Sequence, residues 1–177
     1  MCFSCCACGG NTEKEPNDET KTPTIEAEVP ETDALVIGET YFMPEFDITI
    51  TGFDFSQKAT FPDGDGFNLV PQKGYVTANI YYNIKYKGKV TTYEGVFKPN
   101  WIVYDDGYKF KLEKFYYYDT GVDSWLNAGD VDPLSPEFPC KACFFVPDEV
   151  ETNTEKTLLV EFMFGTFDAR TVDNVGK

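Results

Sequence analysis

Histidine is absent from this chain of 177 residues, and a single arginine, Arg170, accompanies fourteen lysines. Without histidine there is no Ser–His or Cys–His nucleophile pair and no zinc-protease motif. The glycine fingerprints that cradle phosphates or dinucleotides are missing as well. No apolar run approaches the roughly 18 residues of a membrane-spanning helix. Acidic residues outnumber basic ones 30 to 15, for a net charge of −15. That balance excludes nucleic acid as a partner and electrostatic binding to anionic headgroups, since both demand a basic surface. A carboxylate pair of the glycosidase kind is one arrangement that thirty acids allow. A solvated acidic surface accounts for them more simply, so the chain reads as non-catalytic, with no cofactor and no metal.

What the chain does have begins at its first residues. Cys2, Cys5, Cys6 and Cys8 crowd a short stub that Gly9-Gly10 closes. Cys5-Cys6-Ala7-Cys8 resembles the end of a bacterial lipoprotein signal, in which small residues precede the cysteine that is acylated. Cys8 is the best-placed acceptor, with Cys5 and Cys6 as alternates. No basic or apolar leader stands in the seven residues before Cys8, so this reading expects further sequence upstream. The competing accounts are a small thiolate metal site and a frayed terminus. Lipidation would place the protein outside the cytoplasm, anchored to the bacterial cell membrane through the lipid alone.

From Asn11 to Asp33 eight carboxylates stand against Lys14 and Lys21, with Pro16, Pro23 and Pro30 and almost no apolar residue. Such a segment cannot bury a core and extends by self-repulsion. Residues 1–10 thus read as signal remnant and acylation site, 11–35 as an acidic linker, and 36–177 as one domain of about 140 residues, large enough for a full core.

Period-two alternation dominates that domain. Val76, Ala78, Ile80, Tyr82, Ile84 and Tyr86 interleave with polar or amphipathic neighbours, the pattern of a half-buried antiparallel strand. Phe46, Ile48 and Ile50 alternate until Gly52 shifts the phase to Phe53 and Phe55, which predicts a bulge there. Trp101–Tyr104 and Tyr108–Leu112 flank Asp105-Asp106-Gly107, a hairpin turn for which Gly107 is expected to supply the positive φ. Ala142, Phe144 and Val146, then Leu158, Val160, Phe162 and Phe164, give two more strands around a Pro147-Asp148-Glu149 turn. Short strands broken by Gly and Pro predict an all-β fold, an immunoglobulin-like antiparallel sandwich of about seven to nine strands.

In this order the segments resemble an uncharacterised immunoglobulin-like domain family of Gram-positive surface lipoproteins, over about residues 36–165. The resemblance is carried by Ile48-Thr49-Ile50-Thr51-Gly52-Phe53-Asp54-Phe55, Gly74-Tyr75, Tyr104-Asp105-Asp106-Gly107-Tyr108 and Phe144-Phe145-Val146-Pro147. It implies an extracytoplasmic β-sandwich and brings no functional residues with it. Pro136-Glu137, Cys140, Cys143 and the aromatic stretch from Glu113 to Pro133 depart from the family's pattern.

Three constellations remain. Cys140 and Cys143, three apart in a strand, should face opposite sides about 10 Å apart and serve as packing residues. A bridge in a local bulge, or a metal, would need the chain to turn. Asp63-Gly64-Asp65 resembles the opening of a calcium loop, but Phe67 occupies a ligand slot and Gly74 stands at the twelfth position, so a connecting loop is the alternative. Tyr116, Tyr117, Tyr118 and Trp125 form a candidate ligand patch for a glycan or protein partner, set against burial of the same rings in the core.

Overall fold

The computed structural model describes residues 35–59, 69–105 and 107–170. Cys8 and the other stub cysteines, the acidic segment up to Asp33, and Asp63 and Asp65 lie outside the described residues. Among those described, no helix is long and apolar enough to cross a membrane.

Eleven strands run through the described residues: β1 (Thr40–Phe42), β2 (Phe46–Ser56), β3 (Tyr75–Tyr86), β4 (Thr92–Tyr93), β5 (Trp101–Tyr104), β6 (Tyr108–Asp119), β7 (Ser124–Leu126), β8 (Asp130–Val131), β9 (Phe138–Pro147), β10 (Leu158–Phe162) and β11 (Gly165–Asp168). A 3₁₀ turn occupies Glu94–Phe97, and one short helix, α1 (Asp148–Thr152), stands where the sequence predicts only a turn. Every strand pairing is antiparallel. The strands follow one path, β1-β2-β3-β9-β6-β5-β10-β11, with β7 alongside β6 and a separate β4–β8 ribbon.

The all-β expectation holds, and the path shows how a single sheet encloses a core. β6 is the pivot: residues Tyr108 to Lys111 pair with β5, and Leu112 to Tyr117 pair with β9, with a register shift between Leu112 and Lys114. An extra residue bends and twists a strand, so the sheet curls there. The β2–β3–β9 part then faces the β5–β10–β11 part. Tyr82 of β3 meets Phe162 of β10 edge to face at 5.4 Å, and Phe53 of β2 lies 6.4 Å from Phe167 of β11. Phe97, fully buried on the 3₁₀ turn, packs against Phe46, Tyr86 and Phe138. Leu35 closes the far side by a parallel bridge to Phe167, its N–H donating to Thr166 at 2.8 Å. Leu35 is 2% exposed and belongs to this core, which corrects its assignment to the linker.

Of the alternation read in β3, Val76, Ala78, Ile80, Tyr82, Ile84 and Tyr86 are all buried as expected, but the interleaved Thr77 and Asn79 are buried as well, so the first half of the strand is covered on both faces. The slip at Gly52 is a register shift between Ile50 and Gly52 against β3. The β5–β6 hairpin forms too. Among the described residues of its turn, however, the left-handed one is Asp105 at φ 50, not Gly107. Aspartate tolerates that region better than most side chains, and Lys156 Nζ donates to its Oδ1 at 2.9 Å.

Candidate functional site

The outward face of the β2–β3–β9–β6–β7 layer carries the most varied chemistry of the described residues. Cross-strand register sets its rows. Tyr81 of β3 stands opposite Lys141 of β9, which stands opposite Tyr116 of β6. One row along, Asp54 faces Asn79, Asn79 faces Cys143, and Cys143 faces Lys114. These are outward positions, out of phase with the core residues.

Burial is nevertheless deep, because Ala59 and Leu69, joined by two backbone hydrogen bonds of 2.8 and 2.9 Å, pack over the layer against Tyr116 and Cys143. Lys141 is 5% exposed and Asn79 1%. A buried cation is costly unless its charge is compensated. Here the Lys141 ammonium lies 5.2 Å from the centroid of the Tyr81 ring, within cation–π range. The Asn79 amide donates to Asp54 Oδ1 at 2.7 Å and to Ser56 Oγ at 3.0 Å, while its own Oδ1 has no partner among the described residues. Burial pushes the Tyr81 phenol well above its ordinary range, assisted by the negative charge of Asp54 and by the hydrogen bond donated to that carboxylate. Burial likewise lifts the Cys143 thiol to about 12, against the lowering pull of Lys141. Both groups are therefore held in their neutral forms at neutral pH.

Beside this cluster opens a groove of about 590 Å³, walled by Asp54, Ser56, Lys58, Val70, Tyr81 and Lys141 among others. It presents an aromatic ring, an ammonium, a carboxylate and a hydroxyl within one depression. Such a mixture suits a hydroxyl-rich or amide-rich ligand, which needs both donors and acceptors beside an apolar plane.

The predicted patch is divided by the strand it lies on. Tyr117 points into the core, 3% exposed, stacked near Phe115 and edge-on to Phe138. Tyr116 points outward but is 1% exposed under Ala59 and Leu69. Only Tyr118 and Trp125, half-buried and paired across β6–β7 at 5.5 Å, face outward with solvent access. The Tyr118 hydroxyl donates to Asp123, which takes a left-handed φ of 54 in the hairpin. Cys140 and Cys143 are free and buried on opposite faces, Cys140 inward and Cys143 outward.

Asp54, Asn79, Tyr81 and Lys141 were not singled out from the sequence. Each is an ordinary polar position of an alternating strand. Only the register of β2 on β3 and of β3 on β9 brings them together.

No family model matches the chain, and no curated protein matches it. Among solved structures it is similar to an uncharacterized β-sandwich protein from Clostridium difficile 630, at 23% identity and a TM-score of 0.60, over 76% of this chain and 91% of that one. A conserved hypothetical protein from Bacillus anthracis aligns over 76% of this chain and 89% of that one, at 12% identity and a TM-score of 0.49. The first likeness shows the fold: the chain is a β-sandwich protein built from one strongly curled antiparallel sheet.

Proposed function

We propose that the chain is a non-catalytic binding or structural module held outside the bacterial cell by a lipid on Cys8, and that it offers the outward β2–β3–β9 face to a protein or glycan partner. The observation that carries this reading is the groove beside Tyr81 and Lys141, where donors, acceptors and an aromatic plane meet. The non-catalytic part is supported by two of the groups at this face, Tyr81 and Cys143. A nucleophile or general base needs a pKa near the working pH, whereas burial raises Tyr81 and Cys143 away from it. An immunoglobulin-like kinship belongs to the same proposal. It is supported by two antiparallel layers enclosing one core, although here the layers share β6.

Attachment is tested by expressing a precursor with a complete secretion signal ahead of residue 1 in a bacterial host fed a palmitate analogue. The label should be lost in Cys8→Ser; label that survives this change overturns the anchor assignment.

A second reading, a secreted glycan- or peptide-binding domain, is favoured by the outward Tyr118–Trp125 pair. It requires binding that Trp125→Ala abolishes and Tyr81→Ala leaves intact.

A further inference from the structure

The corner where the β5–β6 turn meets α1 holds a second, separate cavity of about 260 Å³. Tyr104, Tyr108, Phe110, Asp105 and Glu149 contribute to its wall, and none of its lining residues is basic. Tyr104 is 5% exposed and fixed, while Tyr108 is 64% exposed beside it, the two rings 6.4 Å apart and tilted by 41°.

The two carboxylates are in different states. Asp105 is already compensated by Lys156 at 2.9 Å. Glu149 accepts a long hydrogen bond of 3.4 Å from the Tyr104 hydroxyl and has no cationic partner within ion-pair distance among the described residues; the Arg170 guanidinium, near enough to act on Tyr104, directs donors to the carbonyls of Val150, Asn153 and Lys156. Asp105 reaches the site through a left-handed backbone conformation that glycine would adopt more readily.

We propose that this corner binds an alkylammonium group, seated against the rings of Tyr104 and Tyr108 with Glu149 as its counter-charge. Aromatic faces attract cations through their quadrupole, and a carboxylate at the rim adds a longer-range attraction. Zwitterionic ligands that place a carboxylate beside the ammonium are disfavoured by the two acids of the wall. The cavity takes a headgroup of a few heavy atoms, such as choline or the end of a lysine side chain. This inference is independent of the reading given to the outward β2–β3–β9 face, and either can fail alone.

The full chain is titrated with choline, with acetyl-lysine amide and with dimethylbutanol, the uncharged carbon isostere of choline, while Tyr and Glu resonances are followed by NMR. Choline or the lysine amide should shift Tyr104, Tyr108 and Glu149 with an affinity at least about tenfold above that for the isostere. The stronger of the two cations distinguishes a small quaternary amine from a partner's lysine. Tyr108→Ala and Glu149→Gln, both at exposed positions, should each weaken binding about fivefold or more. Equal response to the isostere, no shift up to about 0.1 M cation, or affinity unchanged in both variants overturns the proposal.

Discussion

Cys140 and Cys143 lie three residues apart on β9 and are buried against opposite faces of the same sheet, the first in the main core and the second beneath Ala59 and Leu69. Burial raises both thiols, Cys143 to about 12 and Cys140 well above its ordinary value.

Neither should react with a thiol reagent at pH 8 while the protein is folded. In a chain whose stub cysteines are replaced by serine, the reagent should titrate no thiol in buffer and two in denaturant. A disulfide between them, or rapid labelling of the folded chain, would refute the packing.

The same shifts set a pH dependence. The folded state keeps both thiols protonated where the unfolded chain begins to release protons, near the ordinary thiol pKa of about 8.5. Their contribution to stability is thus complete below that value and is lost as pH rises toward 12. Urea midpoints should be level from pH 7 to about pH 8 and fall steadily above, and Cys143→Ala should flatten part of the fall.

Two buried tyrosines should respond oppositely to loss of the hydroxyl. Tyr82 donates to the Phe97 carbonyl at 2.9 Å, so Tyr82→Phe should cost about 1 kcal/mol. The Tyr117 hydroxyl is buried with no partner among the described residues, so Tyr117→Phe should be neutral or stabilising. Chemical denaturation of the two variants checks the sign of each.

Glu94, 0% exposed, is held by Lys98 at 2.8 Å and by the Gly129 N–H at 3.2 Å, with Lys98 itself lying over the rings of Tyr93 and Phe115. Lys98→Ala leaves a buried carboxylate without its counter-charge and should destabilise by about 3 kcal/mol. The double change Lys98→Met with Glu94→Gln should recover much of that loss in the same denaturation assay.

Much of the first layer was legible because its strands alternate cleanly: β3, the Gly52 slip in β2 and the opposed cysteines all follow from period two. Alternation also requires that Tyr117 and its neighbours part company, yet it cannot say which side is the core. That depended on β6 continuing past Leu112 through a bulge into a second partner strand. In the β5–β6 turn glycine's freedom outranks aspartate's locally and points to Gly107, whereas Lys156, fifty-one residues away, stabilises Asp105 in the left-handed conformation. The Asp54–Asn79–Tyr81–Lys141 cluster is a product of register and could not be read from any one strand.

The claim that the outward face is the working surface is tested most directly by probing glycan and peptide arrays with the full chain and with Tyr81→Ala. The account predicts a class of ligand retained by the unmodified protein and lost in the variant under conditions where circular dichroism shows both to be folded. Blank arrays, or a signal indifferent to Tyr81→Ala, would contradict it.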